Sequence, residues 1–251
     1  VALLPGGLVI GDRSLGMAPT DLTVLRAPAS LRAGVGDIDA QTYIHGHTIT
    51  VHQRWWRTEL TAHGLDPDGL LGSTISRGDL LALAEAASID SAGALRLLWN
   101  TLAWGTGTRT RHGRNRIRAI VADADGFGAL LATAARKAHT DPEAAYNLLR
   151  PGDRANAIGY LGPSFFTKYL YFAGAGNPAH PCHILDERVA HSLQHAGWRS
   201  LPDQFWSAAA YRRYNELLDR WCTEVGAPRS DVIERWLFEH TSSSAPARTR
   251  S

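Results

Sequence analysis

The sequence predicts a mainly α fold with a small β element in its N-terminal third. Three observations carry this. From Ser76 onward apolar residues recur at helical spacing. Residues that open helices precede those stretches, as Ser76 with Asp79 and Asp141 with Pro142. β-Branched alternation, by contrast, is concentrated between Tyr43 and Trp56 (YIHGHTITVHQRWW). The 251 residues, 44% hydrophobic and 20% charged, have the make-up of a globular chain with enough length to bury one sizeable core. The expected layout is an N-terminal segment 1–75 carrying short strands, a helical region 76–240, and a disordered tail 241–251 rich in Ser, Ala, Pro and Arg.

Taken in order, the first forty residues are rich in Gly, Pro, Ala and Asp and read as irregular chain or a few short strands. Tyr43 to Trp56 reads as a strand or hairpin. Ser76 and Asp79 have capping-box spacing and lead into DLLALAEAAS. Ala92 to Trp104 places Leu95, Leu98, Trp99 and Leu102 on one helical face, with Gly105 and Gly107 as its end. Further helices are expected over Arg116 to Ala124, over Gly128 to Ala138, and after Asp141, where Pro142 takes the first helical position. Trp206 to Val225 carries Tyr211, Tyr214, Leu218, Trp221 and Val225 in a core-facing stripe, aromatics better explained by burial than by stacking on bases.

Several function classes fall away. Apolar runs such as Leu80–Ala87 are too short to cross a bilayer, and Asp12 and Arg13 interrupt the region where a signal peptide stays apolar, so a cytoplasmic protein is expected. Two cysteines, Cys182 and Cys222, cannot ligate an iron–sulfur cluster or an all-cysteine zinc site. His45-Gly46-His47 lacks the glutamate and spacing of a zinc-protease helix, so neither metal nor cofactor is expected. Of 26 cationic residues only Lys137 and Lys168 are lysines, and arginine cannot serve as an amine nucleophile. The net charge of +2 is small, but Arg109, Arg111, Arg114, Arg116 and Arg118 form a run without an acid, read either as a solvated face or as a phosphate surface.

The stretch 157–190, AIGYLGPSFFTKYLYFAGAGNPAHPCHILDERVA, is the one that carries chemistry. Gly159 and Gly162 bracket a four-residue turn, and Pro163 opens a helix that runs through SFFTKYLYFA to Gly174. The result is a helix–hairpin–helix at about 150–174, with unpaired N–H groups and a favourable dipole for an anion at the start of its second helix. Lys168 lies on that helix, and Asp186 opens the next one eighteen residues later. Taken separately, Asp186 is better explained by capping a helix, and Lys168 by a surface phosphate contact.

Together these features resemble the helix–hairpin–helix DNA glycosylases, and GPSFFTKYLYF followed by ILDERVA is similar to their bacterial 8-oxoguanine-glycosylase-like branch. LLWNTLAWGTGTR, YRRYNELLDRW and VIERWLF extend the resemblance over roughly 90–240, with GYLGPSFF standing where the superfamily's usual hairpin has LPGVG. The resemblance implies a helical glycosylase bundle that acts as a monomer on double-stranded DNA, extruding a modified base and cleaving its N-glycosidic bond. It assigns catalysis to Asp186, stabilising positive charge at C1′, and to Lys168, whose amine would make the enzyme an AP lyase as well if it is aimed at C1′ and leave it a monofunctional glycosylase if it points away. Gly159, Gly162, Ser164 and Thr167 on the hairpin, with Arg109, Arg111, Arg114 and Arg116, are the implied DNA contacts. Trp55, Trp56, Trp104 and Phe165 are candidates for the base pocket or for the wedge that fills the gap in the duplex.

The base stays open between 8-oxoguanine, in repair, and a hypermodified phage base such as glucosylated hydroxymethylcytosine, in defence, for which His45, His47, His52, Arg54 and Arg57 would supply polar contacts. Two other readings remain: a non-enzymatic helix–hairpin–helix DNA-binding protein, and a helical scaffold in which Asp186 only caps a helix.

Overall fold

A computed structural model describes residues 20–36 and 38–241. The expectations for the extreme N-terminus and for the tail beyond Thr241 lie outside them. From Thr20 the chain makes a 3-10 turn at Leu22–Val24 and helix α1 (Ala29–Val35), where irregular chain or short strands were expected, because Leu31 and Val35 are drawn into the core beside the C-terminal helix. A π turn at Gln41–His45 leads into strand β1 (Thr48–Thr50).

β1 does not form a hairpin with its immediate successor. It pairs antiparallel with β2 (Thr74–Ser76), Ile49 facing Ile75, and α2 (Gln53–Ala62) lies between them in sequence. Trp55 and Trp56 are therefore helical. Trp56 and Leu60, four residues apart, are both fully buried, so tertiary packing overrides the β preference of the aromatic pair. The sheet also brings together two residues remote in sequence: the Arg77 N–H donates to the His47 carbonyl at 2.9 Å.

The capping box at Ser76 and Asp79 is present, but the helix it opens, α3 (Arg77–Leu81), stops after one turn and α4 (Ala84–Ile89) resumes. α5 (Ser91–Thr106) is central, packing on α4, α7 and α9. Gly105 lies inside it, and Gly107 alone ends it at φ +59°. α6 (Gly113–Val121) starts three residues before its expected position, and α7 (Ala124–Ala138) starts four before, capped by Asp123. α8 (Pro142–Leu149) opens with Asp141 as cap and Pro142 as its first residue.

Between α8 and α9 (Pro163–Phe172) the connection is longer than the expected four-residue turn. It contains a 3-10 turn at Pro151–Asp153, and positive φ at Gly152 and Asp153 turns the chain away from α8 before the Gly159–Gly162 turn begins. α10 (Glu187–His195), α11 (Ala208–Val225) and α12 (Ser230–Glu239) complete the described helices. Trp206 precedes α11, whose cap is Ser207, and Tyr211, Tyr214, Leu218 and Trp221 are fully buried as their spacing required, while Val225, at the last position of the helix, is half-buried. Among the described helices none is long and apolar enough to cross a membrane.

Candidate active site

Lys168 sits on α9, a helix buried on nearly every side, and Asp186 sits at the mouth of α10. What fixes their relation is the segment between them. The Tyr211 hydroxyl donates to the His183 carbonyl (2.9 Å), Tyr214 to the Ile184 carbonyl (2.6 Å), and Asn215 Oδ1 accepts the His183 N–H (3.0 Å). The stripe of α11 thus does more than fill the core, since its polar tips hold an extended strand of chain that has no sheet to satisfy it. Thr167 completes the clamp: its Oγ1 accepts the Leu185 N–H (3.2 Å) and lies within bonding distance of the Pro163 and Leu185 carbonyls (2.8 and 3.0 Å).

The chain is therefore delivered so that Lys168 Nζ donates to Asp186 Oδ2 at 2.8 Å and to the Ser164 carbonyl at 2.9 Å. Asp186 Oδ1 meanwhile accepts the Val189 N–H at 3.2 Å, so one carboxylate both caps α10 and pairs with the amine. The side chains remain only 9% and 13% exposed. Burial works against ionisation of Asp186, yet the Lys168 charge, its hydrogen bond and the N–H groups of the helix start outweigh it and hold the carboxyl below the usual carboxylate range.

The pair forms one side of a cavity of about 110 Å³. Trp104, Ile49, Phe238, Ile184 and Gly105 supply the apolar lining. A Cβ on Gly105 would meet Phe165 at 3.1 Å and the Lys168 Cδ at 3.3 Å, so glycine is what leaves the amine its place. Arg77, Glu234 and His47 supply the polar lining. Arg77 grips Glu234 through two bonds (2.7 and 3.2 Å), both side chains being almost wholly buried, and its Nε donates to His47 Nδ1 at 3.2 Å. Burial pushes the Glu234 carboxyl upward, with Arg77 opposing. Burial, with the Arg77 charge adding to it, pushes His47 down to about 3. Among the described residues no group of three His, Cys, Asp or Glu side chains is arranged to hold a metal ion.

The other candidate residues are dispersed. Arg109 and Arg111 are exposed, whereas Arg114 pairs with Glu59 at 2.7 Å. Arg116 is buried: it donates to the carbonyls of Tyr160 (3.1 Å) and Arg111 (3.2 Å) and lies 3.9 Å over the Phe165 ring, bracing the hairpin from beneath. Gly159 is exposed, Gly162 caps α9, and Ser164 is half-buried behind it, all near a groove of about 350 Å³ lined by Gly162, Ser164, Phe165 and the exposed Tyr160 and Phe205. The left-handed position of the turn is Tyr160, at φ +62°, rather than either glycine. Of the candidate pocket aromatics only Trp104 reaches the cavity. Trp56 is core, Trp55 packs on Gly113, and Phe165 lies under Arg116.

His47 is likewise the one polar candidate in the cavity. His45 packs beside Gly176, His52 caps α2, Arg57 pairs with Asp68 at 2.6 Å, and Arg54 is exposed. Sequence reasoning missed Arg77 and Glu234. The only signal was a charge set among Val232, Ile233, Trp236 and Leu237, on the side of the helix that packs inward, while Arg235 and Glu239 take its outer side.

A model of the family described as "Putative 8-oxoguanine DNA glycosylase OGG-like protein" matches residues 42–238. The match begins well before residue 90, where the sequence resemblance started, and takes in β1, α2 and β2, the elements that bring His47 to Arg77. No curated protein and no solved structure matches the chain. With more than three quarters of its length inside the matched span, the chain belongs to the OGG-like DNA glycosylase family.

Proposed function

We propose that this protein excises a modified base from duplex DNA, with Asp186 and Lys168 as its catalytic pair. The observation that carries the reading is the 2.8 Å contact between Lys168 Nζ and Asp186 Oδ2 at the edge of a cavity. Breaking the bond from base to C1′ leaves positive charge on the sugar, and a carboxylate held ionised beside C1′ stabilises that charge. The base departs with the bonding electrons. The Lys168 amine, having passed a proton to a neighbouring acceptor, then adds to C1′, and opening of the sugar ring gives a Schiff base from which the 3′ phosphate is eliminated. Gly159, Gly162, Ser164 and the start of α9 dock a backbone phosphate, and Arg109 and Arg111 extend that contact.

The substrate we favour is 8-oxoguanine, acted on by a monomer in the cytoplasm. The cavity beside the pair is bounded by the flat rings of Trp104 and Phe238, surfaces suited to the ring of a base. His45, His52, Arg54 and Arg57 lie away from it, which weakens the case for a glucosylated phage base. Borohydride trapping on duplexes with an abasic site tests the lysine: a covalent complex is expected with the wild type and none with Lys168→Gln. Absence of a complex with the wild type removes the lyase step. Mass spectrometry of bases released from oxidised DNA and from glucosylated phage DNA identifies the substrate, and release from neither overturns the glycosylase reading in favour of a DNA-binding module.

A further inference from the structure

The polar wall of the cavity is a chain of three side chains: Glu234 grips Arg77, and Arg77 grips His47. Its direction of donation is forced. A guanidinium has donors only, so Arg77 Nε–H must point at His47 Nδ1, and Nδ1 must be the acceptor. The imidazole is kept neutral by burial and by the charge of Arg77, its pKa lying at about 3. In a neutral ring whose Nδ1 accepts, the proton resides on Nε2. Among the described residues that nitrogen has no hydrogen-bond partner, and the ring it belongs to lines the cavity. It stands edge-on to Trp104, with centroids 5.2 Å apart, and 6.1 Å from the Phe238 ring, which together with the Arg77 bond hold its orientation.

We infer that His47 is a specificity-determining residue, a fixed N–H donor that reads an exocyclic carbonyl oxygen on the extruded base. The inference rests on the glycosylase reading and deepens it. His47 bonds to neither Lys168 nor Asp186 but lines the same cavity, so with those two at the sugar it is left to meet the base itself. On a purine of the guanine type the carbonyl it reads is the one at C6. An amino group there would set one donor against another and leave both unpaired in the complex, which is the usual source of strong discrimination. Glu234 and Arg77 touch the base less directly: they are positioning residues that hold the tautomer.

The test is a cycle between protein and substrate. Base release is measured on duplexes carrying 8-oxoguanine and on duplexes carrying the analogue that lacks the C6 oxygen, and each rate is divided by trapping on an abasic duplex, which has no base to read. For the wild type, removing the oxygen is expected to lower this ratio by about 10–100-fold, the worth of one buried hydrogen bond. For His47→Ala the two substrates should differ by less than about threefold, and His47→Gln, whose amide can donate from a similar position, should restore part of the preference. Equal sensitivity to the oxygen in wild type and His47→Ala overturns the inference. A second readout is independent of the substrate: the side-chain nitrogen spectrum of His47 in the free protein should show the proton on Nε2 from pH 5 to pH 8. A proton on Nδ1 overturns the inference even where the enzyme releases 8-oxoguanine. If the wild type releases no base while the spectrum shows Nε2–H, it is the assignment of 8-oxoguanine, and with it the carbonyl at C6, that falls.

Discussion

Replacing Asp186 separates its two tasks, because asparagine keeps one and loses the other. Asn is as good a helix cap as Asp, so Asp186→Asn should retain the bond from the Val189 N–H while removing the charge that faces Lys168. Breaking a fully buried ion pair costs about 3–5 kcal/mol. This pair keeps some contact with solvent and Lys168 keeps its bond to the Ser164 carbonyl, so a loss of about 1–3 kcal/mol is expected. At about 2–4 °C per kcal/mol for a chain of this size, thermal unfolding should fall by about 2–12 °C. Asp186→Ala loses the cap as well, about 1 kcal/mol more, or a further 2–4 °C. Base release should behave differently: both variants lose the carboxylate beside C1′, and both should slow by about 10²–10³-fold or more, without the graded difference seen in stability.

The pH dependence follows from the lowered pKa. A carboxyl whose folded value lies below its unfolded value, about 3.9, contributes stability that is fully present above that value and is lost as pH falls through the folded one. The stability gap between wild type and Asp186→Asn should therefore be constant from pH 5 to pH 8 and close below about pH 4. Wild-type base release by Asp186→Asn, alongside its stability loss, would refute the catalytic assignment and leave Asp186 as a cap and ion-pair partner only.

The arginine run should divide in the same way. Arg109→Ala and Arg111→Ala, both at exposed positions, should each lower the slope of log affinity against log salt by about one without moving the unfolding temperature, as filter binding across a salt series would show. Arg116→Ala should instead destabilise the fold by about 1–3 kcal/mol, measured by urea unfolding, because it removes the bonds to the Tyr160 and Arg111 carbonyls and the contact with Phe165. Glu234→Ala strands the buried Arg77 charge and should cost about 3–5 kcal/mol by the same measurement. Combining Arg77→Met with Glu234→Leu should recover most of that loss, since an apolar pair of similar volume needs no desolvation.

Much of the architecture was legible because it rests on local rules. Asp141-Pro142, Ser76 with Asp79, and Asp186 before Glu187 start helices wherever they occur, since the first N–H groups of a helix need an acceptor within three residues. The stripe Tyr211, Tyr214, Leu218 and Trp221 repeats with the helical period, so its burial followed from the sequence alone. Lys168 and Asp186 were singled out by their spacing as it resembles that of the helix–hairpin–helix glycosylases, with the rarity of lysine in this chain drawing the eye to the first of them.

What only the tertiary structure decided has a common cause: the forces act between residues far apart in sequence. Trp55 and Trp56 became helical because the core accepts Trp56 from a helix and not from a strand. Arg116 left the basic run for the interior because the Tyr160 and Arg111 carbonyls and the Phe165 ring were there to receive it, while Arg109 and Arg111 stayed outside. Arg77 and Glu234, 157 residues apart, meet only once β1 and β2 have paired and α12 has closed over them. A charge in a sequence does not say whether its partner is water or another charge, and in this protein that choice built one wall of the cavity.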